Sequence, residues 1–470
     1  MNNSDIPEMH IALFPWIGMG HIIPFATLSN YLASRGHRIS FLLPKKGLLK
    51  LQNQDIDSEL INFYTVKVPH VQGLPPGAET TADIDYSGKD PLAIAFDAMA
   101  DEVEELLSGL KPDVVLFDFA HWMPKLGAKI GFKTVCYNIV SASSMAIGVV
   151  PARYFPKDRR LTDDEVLEPP QGYPSKTVVI RRLRHEIRAM SFICETFGAI
   201  TFGERLTVGL RDSDAIGVRA VRELERPMCD YLVDQFKKPV LLSGPILPQA
   251  PKKVLEEKWD TWLRKFSPKS VLYCAFGSQN IMPKDQFQEL VLGFEMTGLP
   301  FLLALSKPHG AKTVEEALPE GFLERVGERG VVYDGWVQQN QILNHPSVGC
   351  FVSHGGIASV WESLLSDCQI VLVPCLGDHI LNTRLLADEL KVGVEVERDE
   401  DAGFSKEDLC SAIKTAMDEE SELGNTIRRN HARWKEELSK PGLYDSYIDD
   451  FIKNLYQLMP QDHNNNRKFQ

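Results

Sequence analysis

The stretch Cys350-Phe-Val-Ser-His-Gly-Gly-Ile-Ala-Ser-Val-Trp-Glu362 contains a short apolar run, two glycines and an amphipathic segment, in that order. The run that ends at His354 has the composition of a buried strand, Gly355 and Gly356 allow a tight turn, and residues 357–366 have the character of a helix. A strand that turns directly into a helix is part of a βαβ unit, and such units build parallel sheets with helices on both faces. This stretch therefore predicts a doubly wound α/β fold.

The same alternation of short apolar runs with longer amphipathic stretches continues over the whole chain. Strands are predicted in the first half at residues 10–14, 38–43, 113–117, 134–139 and 215–219, and in the second half at 270–275, 301–305, 331–333, 350–353, 370–373 and 393–396. Residues 243–253 lie between these sets, and their three prolines and two lysines are typical of a linker. We therefore predict two domains, residues 1–248 and 249–470, with a last helix at 443–459 that packs back onto the first domain.

The composition excludes several classes of function. Of the 470 residues, 44% are hydrophobic and 24% are charged, which is typical of a folded globular protein. The formal net charge of −13 opposes nucleic acid or an anionic membrane as the main partner. The eight cysteines show no Cys-x-x-Cys pattern or zinc-site spacing, so we expect buried thiols in a reducing compartment and no metal. Without a leader or membrane-span pattern, the predicted location is the cytoplasm.

Glycine turns at two predicted strand ends indicate sites for phosphate groups. The turn at Gly355-Gly356 leads into a helix N-terminus, where free backbone N–H groups and the helix dipole favour a diphosphate, and Ser359 adds a hydroxyl. The alternative is an ordinary corner in which His354 caps the helix. At the end of the first strand of the second half, Gly277-Ser278 forms another such turn, which is either a second phosphate contact or a plain turn.

Three further positions in the second half suit a nucleotide sugar. Trp336 follows a predicted strand and can stack on a planar base, although a single Trp is commonly a core residue. Glu362 can accept hydrogen bonds from ribose hydroxyls, and its alternative is a solvated helix residue. Asp378 and His379 follow another strand end and suit a sugar with several hydroxyls, whereas the alternative for Asp378 is a helix N-cap.

The first half begins with a strand, a glycine loop and a helix start. A dinucleotide-binding Gly-x-Gly-x-x-Gly motif fails at Pro24, and the second strand ends in Lys45-Lys46 instead of an acidic residue, which disfavours a nicotinamide-dependent dehydrogenase. His21 in this loop has a side chain that suits a general base. Asp118 ends the third predicted strand, and an Asp behind a His fixes its tautomer; the alternative is a loop-capping carboxylate.

Taken together, these features resemble the plant UDP-sugar-dependent glycosyltransferases of small molecules, and the resemblance covers nearly the whole chain. The signature box of that family spans 44 positions, as do Trp336 to His379 here. The resemblance implies a GT-B fold of two Rossmann-like domains facing across a cleft, with His21 as catalytic base and Asp118 as its partner. It implies no metal or cofactor beyond the UDP-sugar co-substrate. The residues implied for UDP-sugar binding are Ser278, Trp336, Val337, Gln339, His354, Gly356, Ile357, Ala358, Ser359, Glu362, Asp378 and His379.

The box departs from the common pattern of the family at two places. Ile357 and Ala358 stand where the family usually has Trp and Asn, so an amide that normally helps to hold phosphate is missing. His379 replaces the Gln of typical glucosyl-transferring members, a change associated in the family with galactose, pentose or deoxysugar donors. The resemblance therefore favours a donor other than UDP-glucose and leaves UDP-glucose possible.

Three segments resemble the subgroup that adds a sugar to the sugar of a flavonoid or anthocyanin glycoside: Leu74-Pro-Pro-Gly-Ala-Glu-Thr80, Trp336-Val-Gln-Gln339 and Ser366-Asp-Cys-Gln-Ile-Val-Leu-Val-Pro374. We therefore predict a monomeric, inverting enzyme that transfers rhamnose, xylose or another non-glucose sugar, with glucose as an alternative, to a flavonoid, anthocyanin or phenylpropanoid glycoside. The alternatives are transfer to an aglycone and an inactive nucleotide-sugar-binding protein. Predicted acceptor-binding residues, each with core packing as its alternative, are Trp16, Gly20, Phe119, His121, Trp122 and Phe202.

Overall fold

The computed structural model of the chain describes residues 7–51, 56, 59–84, 88–153, 155, 159–247, 254–277, 281–375 and 377–460. The predicted domain boundary at residue 248 and the predicted phosphate contact Ser278 lie outside these residues. Within the described residues, two parallel sheets form the two halves of the molecule.

The first sheet has seven strands among the described residues, in the order β3-β2-β1-β4-β5-β8-β9, and β6 with β7 forms a separate antiparallel ribbon. The strands are β1 (His10–Phe14), β2 (Arg38–Leu43), β3 (Ile61–Thr65), β4 (Val114–Phe117), β5 (Lys133–Asn138), β6 (Thr196–Phe197), β7 (Ile200–Thr201), β8 (Ala215–Val218) and β9 (Val240–Leu242). The helices of this half are α1 (Met19–Ala33), α2 (Lys45–Leu51), α3 (Lys89–Asp97), α4 (Ala100–Leu110), α5 (Met123–Ile130), α6 (Ala142–Gly148), α7 (Asp163–Leu167), α8 (Arg184–Ser191), α9 (Phe202–Asp212) and α10 (Arg222–Phe236).

The second sheet has six strands in the described part of the chain, in the order β12-β11-β10-β13-β14-β15. They are β10 (Val271–Ala275), β11 (Phe301–Ala304), β12 (Gly330–Tyr333), β13 (Val348–Ser353), β14 (Gln369–Leu372) and β15 (Gly393–Glu395). The helices are α11 (Glu257–Leu263), α12 (Lys284–Thr297), α13 (Phe322–Val326), α14 (Gln339–Leu343), α15 (Ile357–Leu365), α16 (Gly377–Arg384), α17 (Lys406–Met417), α18 (Glu422–Leu438) and α19 (Leu443–Gln457). A π-helical turn, Leu385–Glu389, continues α16.

The predicted strands are present with ends that differ by one or two residues, but two strands of the first sheet were not predicted. Ile61–Thr65 and Val240–Leu242 are its two edge strands. Edge strands are only partly covered, so their sequences mix exposed and buried positions and carry a weak apolar signal. The inner strands β1, β4 and β10 are buried at every residue, which is why their apolar runs predict them well.

The last helix, α19, lies against the first sheet. Its residues Ile448 and Phe451 are buried in the same cluster as Ile11 and Leu13 of β1. Arg35, which follows the C-terminal end of α1, also donates hydrogen bonds to carboxylates of α19. The C-terminal end of the described chain therefore completes the core of the first half.

Two other sequence expectations can be compared with the structure. All eight cysteines are free, and six are buried, but Cys194, at the end of the 3-10 turn Phe192–Cys194, and Cys375, in the loop after β14, are partly exposed. No helix among the described residues is long and apolar enough to cross a membrane.

Candidate active site

The structure brings His21 and Asp118 together at the carboxyl edge of the first sheet. β1 and β4 are adjacent and parallel, with Phe14 opposite Phe117, so the loops that follow them start side by side. His21 lies in the first turn of α1, and Asp118 directly follows β4. The distance from His21 Nδ1 to Asp118 Oδ2 is 2.5 Å. The side chain of Asp118 is 2% exposed and that of His21 is 21% exposed, so the imidazole reaches the surface and the carboxylate lies behind it.

The second oxygen of Asp118 is also hydrogen-bonded. Asp118 Oδ1 accepts from the backbone N–H groups of Trp16, at 2.6 Å, and Phe119, at 2.7 Å. Asp118 is therefore both the partner of His21 and a loop-capping carboxylate, the two interpretations that the sequence left open. Because a carboxylate only accepts, Nδ1 of His21 carries the hydrogen of a neutral ring, and Nε2 keeps a lone pair that can take up a proton.

An aromatic cluster lies beside this pair. The ring of Phe119 stands edge-on to His21, with 4.9 Å between ring centroids. Trp16, Phe197 and Phe202 surround Phe119 at centroid distances of 5.5, 5.7 and 5.3 Å. Trp16 is 4% exposed, whereas Phe119 and Phe202 are partly exposed. An apolar surface therefore adjoins the proton-accepting atom of the first half.

Two of the predicted acceptor residues, Trp16 and Trp122, pack into or against the hydrophobic core. Trp16 is a member of the main hydrophobic cluster, and Trp122 packs against it with its ring 5.7 Å from that of Phe14. Trp16 lies in the loop that follows β1, and Trp122 immediately precedes α5. Gly20 is exposed in the first turn of α1, where an added Cβ would meet no atom within 4 Å.

His121 is held by charged groups that the sequence did not associate with it. Its Nδ1 lies 3.3 Å from Nη1 of Arg205, a fully buried residue that also makes two 2.7 Å bonds to Asp97. Burial lowers the pKa of His121, and the charge of Arg205 acts in the same direction. The ring is therefore neutral with its hydrogen on Nε2, since Arg205 can only donate.

In the second half, the glycine turn separates β13 from α15. Gly355 has φ +80°, and a Cβ added there would lie 3.0 Å from Thr383 Oγ1, so the turn requires glycine. The N-cap of α15 is Gly356, and no side chain caps the helix. The alternative that His354 caps α15 is therefore wrong, because the chain turns once more after His354 before the helix starts. An uncapped N-terminus leaves N–H groups for an anion.

His354, which is partly exposed, and His379, which is buried, form a pair beside this turn. Their rings are perpendicular, with 4.7 Å between centroids. Burial, together with the neighbouring His379, lowers the pKa of His354 to about 3, and burial also lowers the pKa of His379. A Cβ added at Gly356 would overlap the His354 ring, so the second glycine is needed for the close approach. Both rings are therefore neutral near pH 7 and offer hydrogen-bonding groups rather than a positive charge.

Glu362 is tied to two other residues of the predicted UDP-sugar site. Gln339 Nε2 donates to Glu362 and, at 3.2 Å, to Ser359 Oγ, while Gln339 Oε1 accepts from Tyr273 Oη at 3.2 Å. Burial raises the pKa of Glu362, and the hydrogen bond from Gln339 and the charge of Arg219 oppose this. The alternative of a solvated helix residue is therefore wrong, since Glu362 faces neighbouring groups at the domain junction.

Other residues of the box lie at the surface or close to it. Trp336, in the loop after β12, is 74% exposed and so is not a core residue. Val337 is buried, Ile357 is partly buried and Ala358 is exposed in the first turn of α15. The exposed ring of Trp336 has the free face that stacking on a base requires.

Helix α16 carries the predicted sugar-contacting residues and one residue that the sequence analysis missed. Asp378 Oδ1 lies 3.9 Å from Nε2 of His379 in its first turn. One turn further, Asn382 Nδ2 donates to the carbonyl oxygen of Gly355 at 2.9 Å and so holds the glycine turn. A signal for it exists in the sequence, because Asn382 to Arg384 is a polar run between apolar neighbours. Asn382, Thr383 and Arg384 are all buried.

Within the described part of the chain, no group of three or more His, Cys, Asp or Glu residues is arranged to hold a metal ion. Ser278, the remaining predicted phosphate contact, lies outside the described residues.

Comparisons with known proteins identify what this arrangement resembles. Residues 250–433 match the sequence profile of the family described as UDP-glucoronosyl and UDP-glucosyl transferase. The chain is 49% identical to an Arabidopsis thaliana anthocyanidin 3-O-glucoside 2'''-O-xylosyltransferase, over 97% of this chain and 98% of that protein. It is 47% identical to a cyanidin 3-O-galactoside 2''-O-xylosyltransferase of Actinidia chinensis var. chinensis, over 96% of this chain and 99% of that protein.

Solved structures confirm the predicted GT-B fold. Glycyrrhiza uralensis UGT73P12, complexed with glycyrrhetinic acid 3-O-monoglucuronide, matches with a TM-score of 0.78 over 98% of each chain at 20% identity. Arabidopsis thaliana UGT89C1, complexed with UDP-L-rhamnose, matches with a TM-score of 0.73 over 96% of this chain and 100% of that chain, also at 20% identity.

Proposed function

The chain belongs to the UDP-glucoronosyl and UDP-glucosyl transferase family and is a UDP-dependent glycosyltransferase, and on that premise we propose that it extends the sugar of a flavonoid or anthocyanin glycoside. The sugar transferred is xylose or rhamnose rather than glucose. The observation that carries the chemistry is the 2.5 Å contact between His21 and Asp118. Two relatives that are named as xylosyltransferases of anthocyanin-type glycosides support the choice of acceptor and donor.

In the proposed reaction, His21 is the general base and Asp118 orients it. Nε2 of His21 takes the proton of an acceptor hydroxyl while that oxygen bonds to the anomeric carbon of the donor sugar. The bond from this carbon to the diphosphate oxygen breaks, its electron pair leaves with UDP, and attack opposite UDP inverts the configuration. Asp118 stabilises the imidazolium that forms, since its carboxylate already accepts from Nδ1.

We assign the donor to residues 249–470 and the acceptor to residues 1–248. Trp336 stacks on uracil, Val337 adjoins the base, and Gln339 and Glu362 bind the base and ribose. The diphosphate lies at the uncapped N-terminus of α15, where N–H groups and the helix dipole offset its charge. The phosphate contacts proposed are Ser278, His354, Gly356, Ile357, Ala358 and Ser359.

The proposed sugar contacts are Asp378 and His379, on α16. A neutral His379 both donates and accepts, as the amide of Gln does, but its ring is rigid and shorter in reach. The proposed acceptor surface is formed by Phe119, Phe202 and His121, with Gly20 at its edge and Trp16 and Trp122 behind it. We further propose that the protein acts in the cytoplasm as a monomer, without a metal or a cofactor other than the UDP-sugar.

The test combines several donors with matched acceptors. Purified protein is incubated with UDP-xylose, UDP-rhamnose or UDP-glucose and with either cyanidin 3-O-glucoside or cyanidin, and products are identified by mass spectrometry. We expect a pentose or deoxyhexose to be added to the glucoside and no product from the aglycone. Product from the aglycone alone would overturn the acceptor assignment. UDP binding without any product would favour an inactive nucleotide-sugar-binding protein.

A further inference from the structure

Helix α8 belongs to the first half of the chain but forms a buried ion pair with α16 of the second half. Arg384, at the end of α16, donates one amino group to Glu186 of α8 and the other to Glu395. The side chains of Glu186 and Arg384 are each 1% exposed. The second oxygen of Glu186 accepts from the backbone N–H of Arg181 at 2.7 Å, so this carboxylate is fixed on both sides.

The same two helices also touch at the other end of α16. Gly377 begins α16, and a Cβ added there would lie 3.2 Å from the carbonyl oxygen of Ala189 and 3.2 Å from Sδ of Met190. Contacts this short leave little room for any side chain. Helix α8 is therefore in contact with both ends of α16, which has eight residues and is about 12 Å long.

The position of α16 determines several distances in the proposed donor site. Asp378 and His379 follow Gly377 directly, and Asn382 holds the carbonyl of Gly355 in the glycine turn. The residues proposed to hold uridine lie elsewhere, on the loop after β12 and on α14 and α15. A small shift of α16 would therefore move the sugar contacts more than the base and ribose contacts.

The chain that follows α8 leads to the acceptor side. A short turn, Phe192–Cys194, connects α8 to the ribbon of β6 and β7. Phe197 of this ribbon packs against Phe119, which stands edge-on to His21. The continuous segment from α8 to the ribbon therefore contacts α16 at its start and the aromatic residues beside His21 at its end.

We propose that α8 is a brace for α16, and that Glu186 and Arg384 are positioning residues for recognition of the donor sugar. This inference rests on the proposed function, because it assumes that Asp378 and His379 contact that sugar. Another ion pair between the two halves of the chain, Arg184 with Asp401 at 3.0 Å, is exposed on both sides, and exposed pairs contribute little to orientation. Loss of the Glu186 charge leaves Glu395 as the carboxylate partner of Arg384 and removes the ionic link between α8 and α16, so the two helices are free to shift relative to each other.

The test compares Glu186→Gln, which keeps the size of the side chain and removes its charge, with Arg184→Ala, which removes an exposed pair between the same parts. Calorimetry gives Kd for UDP and for UDP-xylose, and kinetics give the ratio of kcat/KM for UDP-xylose and UDP-glucose. We expect Glu186→Gln to change both the Kd ratio and the kcat/KM ratio by roughly fivefold or more, with Kd for UDP alone within about twofold. Arg184→Ala leaves all of these values within about twofold.

A second variant tests the contact between α8 and α16 without changing a charge, and it does not require Glu186→Gln to fold. Gly377→Ala places a methyl group against Ala189 and Met190, and it should change the same ratios as Glu186→Gln. If Glu186→Gln does not fold, the ratios measured for Gly377→Ala test the proposal instead. Wild-type ratios in the folded variants, with only a lower Tm, would overturn the proposal. Absence of turnover by the wild-type protein would instead overturn the proposed function, while the Kd ratio would still test the brace.

Discussion

The two halves of the proposed site differ in how far their side chains are held and covered by the protein itself. In the first half, Asp118 accepts three short hydrogen bonds from His21, Trp16 and Phe119, so the pair is ordered without a ligand. In the second half, Trp336 is 74% exposed, and Asp378 and His379 are 3.9 Å apart. The pair proposed to move a proton is therefore preorganised, whereas the exposed ring of Trp336 leaves a face against which a donor can pack.

The largest effect is expected from His21→Ala, which removes the proton acceptor and leaves the second half unchanged. Turnover should fall by roughly 10²–10⁴-fold, since a positioned general base contributes that much. Kd for UDP, measured by calorimetry, should stay within about twofold. His70→Ala is the matched control because His70 is exposed in a loop. Turnover of His21→Ala close to that of the wild type would mean that His21 is not the general base.

Asp118→Asn separates the two roles of Asp118 in the first half, as the partner of His21 and as a cap of the loop. The amide oxygen can still accept from the backbone N–H groups of Trp16 and Phe119, so the loop should keep its shape. The negative charge behind His21 is lost, and we expect kcat to fall by roughly 10²-fold with little change in Kd for UDP. Melting temperature separates the two roles of Asp118, because a purely loop-capping carboxylate would affect Tm and not kcat.

Glu362→Gln tests the second half, where binding rather than turnover should change. Hydrogen bonds to a charged group are worth about 1.5–3 kcal/mol, so Kd for UDP should rise roughly 10-fold or more while kcat changes little. Burial raises the pKa of Glu362, so the wild-type carboxylate becomes protonated at a higher pH than an ordinary Glu.

The pH dependence of UDP binding gives Glu362 a separate signature. As the pH falls through the raised pKa, Glu362 loses its charge and the wild-type Kd for UDP should rise. Protonation of the phosphate is common to both proteins, so the difference between wild type and Glu362→Gln isolates this residue. Identical pH profiles would contradict a role for the Glu362 carboxylate in binding.

The sequence predicted the inner strands and the position of His21 and Asp118 because these depend on local patterns. An apolar run covered on both faces identifies a parallel strand, and parallel strands bring their carboxyl ends to one edge. The 2.5 Å contact follows from the adjacency of β1 and β4, although the sequence alone could not give that adjacency.

The contacts between distant charged residues could not be predicted in this way. Glu186 and Arg384 are separated by 198 positions, and Arg205 and Asp97 by 108, so periodicity carries no information on either pair. Arg219, which is buried, donates to the carbonyl of Ile246 at 3.1 Å in the segment predicted as a linker. In the sequence these residues look like ordinary surface charges, and only tertiary packing buries Glu186, Arg384, Arg205 and Arg219.

His379→Gln should have the smallest effect and addresses donor choice alone. A neutral hydrogen bond is worth about 0.5–1.5 kcal/mol, so in competition between UDP-glucose and UDP-xylose the preference should move towards UDP-glucose by roughly 2- to 10-fold. The amide reaches further than the imidazole, and it also removes the edge-on contact with His354. His70→Gln serves as the matched control. If the donor ranking is unchanged while Kd for UDP rises, His379 positions His354 near the diphosphate and does not determine which sugar is bound.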